Sequence, residues 1–592
     1  MASAEIEKIR HSLSHVMAYA VKELYPTTTF GIGPAIENGF YYDIDFGKTT
    51  ISDADFPKIE AKMREIIKKK LPVERVEWTL EKAKSWAKKQ QQKYKLELLN
   101  DLEKKGEIKD KVSFYKIGDF YDLCKGPHVD NTATLNTFKL TKVAGAYWKG
   151  DEKRVQMTRL YGVGFETKKE LDEYLERQEQ AKLRDHRKLG KELDLFHYSK
   201  LIGSGLPLFS PRGAILRDKL NELSQSYRLK NGYQKVWIPH IANLETYRVS
   251  GHLEKFPELL HFVSQESGDE LALKPVNCPH HTQIFASMPR SYKDLPVKYL
   301  DTTTVYRDEK KGELGGLSRV RAITQDDSHI FCTDAQVEQV FGELIEVAKE
   351  MYELLNMKLS LRLSFKDDGD GYIGDEKLWA KAQNSIEAMA QKFKMDYKIG
   401  IGEAAMYGPK MDFMAIDALD REWQVATVQL DYALPERFGL EYVAADGAKQ
   451  RPVMVHCALL GSIERFMGIF IEHTAGWFPL WCAPEQVRIL TVNDNVADYA
   501  QRVAEVLGGV VLNEPIKHNE LRFSVDNSSE SLGKKIKRAT EMRIPIVLIV
   551  GAKDEAAGEV SVRLRSEEQK VKLTKLAEFV EKGRFFKKNY VL

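Results

Sequence analysis

Near the amino terminus apolar side chains recur every three to four positions. Ile6, Ile9, Leu13, Val16, Ala20 and Leu24 gather on one side of a helical wheel. The spacing predicts an amphipathic helix whose opposite side carries His11 and His15 with Ala18 and Lys22. Short strand-like runs follow, among them FYYDIDF and TRLYGVGF, and a lysine-rich stretch between them reads as a solvated helix face, from about residue 55 to 95. The run ETKKELDEYLERQEQAKLRDHRKLGKELDLF reads as a charged helix with few breakers, joining two domains. GSGLPLFSP then opens new territory.

Beyond it, KVWIPHI, VKYLDTTTVYRDE, RVRAITQDDSHIF, KLSLRLSF, EWQVATVQLDYAL and RPVMVHCALLG have strand character. Hairpin signals separate them more often than crossover helices, which predicts a largely antiparallel sheet. After WCAPEQVRILTV strands and helices alternate, through VADYAQRVAEVLGG, SLGKKIKRATEMR and IPIVLIVG, as in a small α/β domain. A chain of 592 residues exceeds what one core supports, and the expected divisions are 1–164, a linker at 165–196, 197–484 and 485–592.

The 89 basic and 87 acidic residues nearly cancel, so any nucleic-acid contact must be a local surface. Five cysteines without regular spacing make no disulfide framework, and a reducing cytoplasm is expected. The chain begins directly on a charged helix, and no long apolar run occurs. Neither secretion nor membrane insertion is expected.

An i, i+4 spacing sets His11 and His15 one above the other. In CKGPH, Gly126 and Pro127 make a tight turn that aims Cys124 and His128 toward a common point. Four such donors suit a closed tetrahedral zinc site. They suit equally a metal-free pocket that holds water against a ribose hydroxyl or an ester carbonyl. Spacing does not choose between the two.

Neither a Walker loop nor a dinucleotide fingerprint is present, so nucleotide binding would rely on side chains. VYRDE ends a strand with Arg307 and Glu309, and LSRVRAITQ returns with Arg319 and Arg321. Such a hairpin would hold arginine forks over a shared pocket, suited to phosphate. Farther on, Glu464 and Arg465 stand in the apolar helix of LLGSIERFMGIFIEH, where an unpaired charge is expensive and an anion is the expected partner.

The strand ending in R-x-E, the later GSIERF entering a helix, and the proline of KVWIPHI resemble the three signature motifs of class II aminoacyl-tRNA synthetases. KPVNCPHH, TQDDSHIFC, YGPKMDF, WQVATVQLDYALPERF and PVMVHCALLGSIERF are similar to the threonyl-tRNA synthetases within that class. The resemblance spans nearly the whole chain. It implies an α+β multidomain protein: an N-terminal α+β editing domain, a class II antiparallel catalytic core and a C-terminal α/β anticodon-binding domain. It further implies a homodimer acting on ATP, L-threonine and tRNA(Thr), with Mg2+ accompanying ATP and Zn2+ held by Cys278, His329 and His456.

By the same resemblance Arg307, Arg465 and Glu309 serve activation. Gln325, Asp327, Tyr407, Lys410, Gln424, Gln429, Ser462, Arg319 and Arg321 line the amino-acid, ATP or acceptor-end pocket. Three zinc ligands with an open position would take the amino group and hydroxyl of threonine, with Asp327 accepting the hydroxyl. Valine lacks that hydroxyl and is rejected, whereas serine lacks only a methyl, worth roughly 10- to 200-fold. A second, hydrolytic site is therefore expected. The resemblance implies that His11, His15, Lys95, Asp122, Cys124 and His128 form it, and no metal is assigned there.

The chain departs from the family pattern in places. By the resemblance it is expected to start at the editing helix and to lack the usual ubiquitin-like domain. Ile323 stands where a phenylalanine commonly stacks on adenine, and Ser528 and Ser531 stand where basic residues are common. Lys534, Lys535, Lys537, Arg538, Arg563 and Arg565 remain as candidate RNA contacts. The rival reading is a catalytically silent RNA-binding or regulatory protein on the synthetase fold. Retention of Arg307, Glu309, Arg465 and the three zinc donors argues against it.

Overall fold

The computed structural model describes residues 4–107, 110–255, 259–512, 516, 519–565 and 567–582. Residues 583–592, included in the expected C-terminal division, lie outside them. The chain forms two compact units, Met1–Glu179 and Gln180–Leu592.

In the first unit helix Ala4–Leu24 packs on helix Phe56–Lys68 and strand Gly39–Asp45. The apolar side of the wheel is buried as expected, but from Ser12 to Val21 every residue is buried. On the histidine side His15 and Ala18 are thus covered too, while His11 and Lys22 are half-buried, because this side faces a polar pocket. Strands Thr29–Phe30, Gly39–Asp45, Gln156–Gly164 and Phe138–Tyr147 form an antiparallel sheet. Val73–Thr79, Lys111–Ile117 and Phe120–Leu123 form a second.

The lysine-rich run is not one solvated helix. It divides into Phe56–Lys68, the strand Val73–Thr79, Leu80–Lys89 and the start of Lys93–Lys104. VERVEWT alternates with period two, and Thr79 then caps the next helix by accepting from the Lys82 amide at 3.3 Å. Lys95 is 3% exposed, so this lysine belongs to the interior.

The second unit is built on an eight-stranded sheet. Its order is Gln234–Lys235, Val297–Tyr306, Ala322–Cys332, Val453–Ser462, Glu422–Asp431, Lys410–Ile416, Lys358–Phe365 and Tyr397–Ile401. Only the two outermost pairs are parallel. Alternation gives each strand two faces. Ile330, Val455, Cys457, Val428 and Leu430 pack into the core with helices Pro211–Lys230, Val337–Leu354 and Ile463–Thr474. Asp327, His329, His456 and Gln429 fall on the other face, with His456 opposite both His329 and Gln429.

A buried carboxylate ties the core side together. Asp326 pairs with Arg228 at 3.1 Å and accepts the amides of Leu459, Leu460 and Gly461 at 2.9–3.1 Å. It thereby fixes the turn that launches helix Ile463–Thr474. KVWIPHI forms little strand: only Gln234–Lys235 pairs ahead of Pro239, which has no amide to offer a ladder, and pairing resumes at Ile241–Asn243. The C-terminal sheet has Phe523–Asp526, Val487–Thr491 and Ile546–Val550 in parallel, then Glu559–Arg563 and Glu568–Lys572 antiparallel.

Candidate functional site

Two sets of histidine and cysteine donors assemble, one in each unit. In the second, Cys278 opens helix Cys278–Ala286 with Pro279 in its first turn, and His329 and His456 project from neighbouring strands. One ligand atom from each lies within 4.8 Å of the others, and the residues are 2%, 1% and 4% exposed. His456 Nε2 donates to Asp431 at 2.8 Å, and His329 Nδ1 lies 2.7 Å from His281 Nδ1. These partners leave the opposite ring nitrogens for the cluster.

A thiol and two imidazoles, each imidazole braced by an outer partner, fit zinc of the three-ligand class. Burial pushes the Cys278 thiol well up and holds His329 well below the usual histidine range, so the His329 ring offers a lone pair. His281 and Asp431 carry this bracing and escape sequence reasoning. The second histidine of NCPHH and the aspartate of QLDY are the only traces they leave.

Around the donors the Tyr407 ring stacks on His456 at 4.6 Å, and its hydroxyl donates to Gln429 Oε1 at 2.7 Å. Asp327 accepts from Asn277 Nδ2 and the Ser328 amide, each at 3.0 Å, and burial raises its carboxyl to about 6. Lys410 Nζ stands 3.4 Å from Asp412. Gln424 is not brought to the cluster. It lies five residues along its strand from Gln429, bound to Asp412 at 2.9 Å and Arg362 at 2.7 Å.

Gln325 pairs with Ser462 across the sheet, and Ser462 caps the helix by accepting the Arg465 amide at 3.1 Å. Glu464 accepts the Thr324 amide at 2.8 Å. The Arg465 guanidinium has no hydrogen-bond or ion-pair partner among the described residues, and burial lowers its pKa. Arg307 follows strand Val297–Tyr306 and acts electrostatically on Tyr407. The expected open pair of arginine forks differs in detail. Arg319 holds the Glu309 carboxylate at 2.6 Å and Arg321 the Glu309 carbonyl at 2.9 Å, so Glu309 organises the hairpin.

In the first unit a ligand atom from each of His11, His15, Cys124 and His128 likewise lies within 4.8 Å of the rest. Cys124 Sγ is 3.2 Å from His11 Nε2 and 3.3 Å from His128 Nε2. Ser12 Oγ meets His128 Nδ1 at 3.1 Å, and the Pro127 carbonyl meets His11 Nδ1 at 3.2 Å. Beside them Lys95 Nζ pairs with Asp122 at 2.5 Å and reaches the Tyr42 hydroxyl at 2.9 Å, while that hydroxyl donates to Asp122. His15 Nδ1 is 3.4 Å from Asp122. All six expected residues converge. Tyr42 and Ser12 were not anticipated; Tyr42 arrives from strand Gly39–Asp45.

Burial lowers His11, His15 and His128 and pushes the Cys124 thiol up to about 11. Lys95 and Asp122 also line a cavity of 250 Å3 with Phe30, Trp86, Gln92 and Tyr121. A third group, Asp185, His186 and Glu472, has donors already spent. His186 binds Glu472 at 2.6 Å and accepts the Leu317 amide at 3.0 Å, and Glu472 also holds Arg421 at 2.6 Å. Of the C-terminal lysines, Lys535 is 1% exposed and bound to Thr491, which removes it from the candidate RNA contacts.

Residues 261–474 match the family described as tRNA synthetase class II core domain (G, H, P, S and T). Residues 486–583 match the anticodon binding domain. Residues 112–161 match the threonyl and alanyl tRNA synthetase second additional domain. The threonine–tRNA ligase of Gloeobacter violaceus is 48% identical, over 96% of this chain and 90% of that one. That of Parabacteroides distasonis is 46% identical, over 95% and 85%. Among solved structures, the RNA binding domain of threonyl-tRNA synthetase from Cryptosporidium parvum is similar with TM-score 0.63 at 32% identity, covering 67% of this chain and 98% of that one.

Proposed function

The chain belongs to the threonine–tRNA ligases, and from that premise we propose that its two donor clusters divide the labour, one selecting threonine and the other hydrolysing the serine error. The ligase joins threonine to tRNA(Thr) in two steps. The threonine carboxylate attacks the α-phosphorus of ATP and pyrophosphate leaves, giving the adenylate; a terminal ribose hydroxyl of the tRNA then takes the threonyl group and AMP leaves.

The observation that carries the selection site is the convergence of Cys278, His329 and His456 beside Asp327. These three residues would hold zinc, which when bound supplies open positions for the amino group and hydroxyl of threonine. Asp327 accepts a hydrogen bond from that hydroxyl. A valine leaves that carboxylate without a donor inside a buried pocket, a loss of about 10^4-fold or more. Arg465, desolvated and unpaired among the described residues, takes a phosphate of ATP together with Arg307. Glu309 positions the hairpin against the nucleotide through Arg319 and Arg321. Mg2+ enters with ATP.

Serine satisfies Asp327 as threonine does, so its correction falls to the first unit. Lys95 faces the developing oxyanion of the seryl ester, and a neutral histidine of the cluster orders the attacking water. The subunits pair as a homodimer: Trp237 is 77% exposed and Val263 60%, apolar surface that a second copy would cover. All five cysteines are free, which suits the cytoplasm.

Pyrophosphate exchange with threonine, serine and valine tests the selection site. Exchange should be strong with threonine, measurable with serine and near background with valine. Valine exchange comparable to that with threonine would refute the role given to Asp327 and the three donors.

A further inference from the structure

Arg184 closes helix Lys168–Arg184 and is 5% exposed, yet its Nε and Nη1 are buried with no hydrogen-bond partner among the described residues. Two more arginines, of which Arg565 acts electrostatically on Arg184, share one aromatic ring. The guanidinium of Arg543 lies 5.4 Å and that of Arg565 5.1 Å from the centre of Trp477, in the loop after helix Ile463–Thr474. The Nε of Arg543 is also buried without a partner.

The surrounding charges do not resolve this. Arg565 acts repulsively on both Arg184 and Arg543. The one carboxylate acting on Arg184 is Asp417, already committed to Arg421 at 2.7 Å and to the Trp423 indole at 2.8 Å. Glu192 acts on Arg543. A buried guanidinium with unmet N–H groups is costly, and like charges beside it add to the cost. A phosphate answers both deficits, since its oxygens accept from several guanidinium forks while its charge relieves the repulsion. Trp477 keeps two of the forks over an aromatic face, an arrangement that favours cations close to a dry surface.

We propose that Arg543 and Arg565 over Trp477, together with Arg184, form a phosphate-binding site that takes a backbone phosphodiester of the tRNA substrate. This rests on the chain's activity as a tRNA ligase. Arg543 and Arg565 lie in the segment matched to anticodon binding, and Arg184 ends the linking helix. Arg565 is exposed, so the site has an open edge through which a phosphate within a polymer can enter. Ser528 and Ser531 lie outside this set, and their neutral side chains place no demand on it.

The test is the affinity of fluorescently labelled tRNA for the full-length protein across a salt series, in wild type and in R184M, R543Q and R565Q. Each variant should bind about tenfold more weakly. Each should also lower the slope of log affinity against log salt by roughly 0.7–0.9. Without tRNA, R184M should melt at a higher temperature than wild type, because an unpaired buried charge has been removed. If R184M does not fold, R543Q and R565Q, at half-buried and exposed positions, decide the matter.

Unchanged tRNA affinity and slope in R543Q and R565Q would overturn the proposal. So would a lower melting temperature in R184M with tRNA binding intact, which is the mark of a structural role. A rise in melting temperature of wild type with inorganic phosphate, lost in the variants while tRNA binding stays intact, would assign the site to free phosphate and overturn it equally. Failure of the wild type itself to bind tRNA would strike the ligase reading instead, and the site with it.

Discussion

The two donor clusters are alike in composition and opposite in their electrostatic surroundings. Around Cys278 the charged groups acting on the thiol are carboxylates, Asp327 and Asp431, and Asp431 also braces His456. Around Cys124 the acid, Asp122, is neutralised by Lys95 at 2.5 Å. The first arrangement invites a cation and holds its ligands in one tautomer. In the second, burial pushes the Cys124 thiol up and keeps the histidines below their usual range, and the Lys95–Asp122 pair cancels its own charge, so no net negative charge stands beside the donors to draw a divalent ion. The difference teaches that donor type and spacing do not define a metal site. The charge just outside the donors decides it, and on the proposed division of labour it separates a zinc selector from a pocket that works on water.

Four variants press on that contrast. The largest effect is expected from Cys278→Ala, which should lower threonine-dependent pyrophosphate exchange by about 10^3-fold or more while seryl-tRNA hydrolysis, followed as serine release, persists. Replacing His11 and His15 together by alanine should do the reverse, reducing serine release by about 10^2- to 10^4-fold with exchange intact. Asp431→Asn keeps the shape but removes the carboxylate behind His456, and zinc affinity measured by chelator competition should fall about 10- to 100-fold. The smallest effect belongs to Ile323→Phe, whose added ring should lower the KM for ATP about two- to tenfold; an unchanged KM would count against a stacking position there.

The pH dependence of hydrolysis follows from burial. His11, His15 and His128 all have pKa values below the ordinary histidine range, because burial penalises the charged ring. They therefore stay neutral as pH falls through about 6.5, and the rate of serine release should show no step there. A fall centred near that pH would mean the catalytic imidazole is not one of these.

Much of this was legible in the sequence, and the reasons for the failures are physical. His11, His15, Cys124 and His128 could be paired because a helical repeat and a glycine–proline turn are local devices. Most strands from Val297 to Ser462 could be read because one face of an antiparallel sheet must be apolar, but Tyr397–Ile401 and Lys410–Ile416 were not among those expected. VERVEWT was hidden inside a lysine-rich run, since charge dominates composition even where the period has changed from helix to strand. Trp237 and its neighbours have strand-forming side chains, but Pro239 removes the amide a ladder needs. Tyr42, His281 and Asp431 act through partners distant in the chain, and no local pattern marks such contacts. Gln424 sits on the expected strand, but a register bulge between Phe413 and Met414 and the pull of Asp412 and Arg362 commit it elsewhere.

Zinc content of the purified protein tests the contrast between the clusters most directly. Wild type and Cys124→Ala should each carry a single zinc per chain, and Cys278→Ala should carry none. A second zinc in wild type that disappears with Cys124→Ala, or zinc retained in Cys278→Ala, would contradict it.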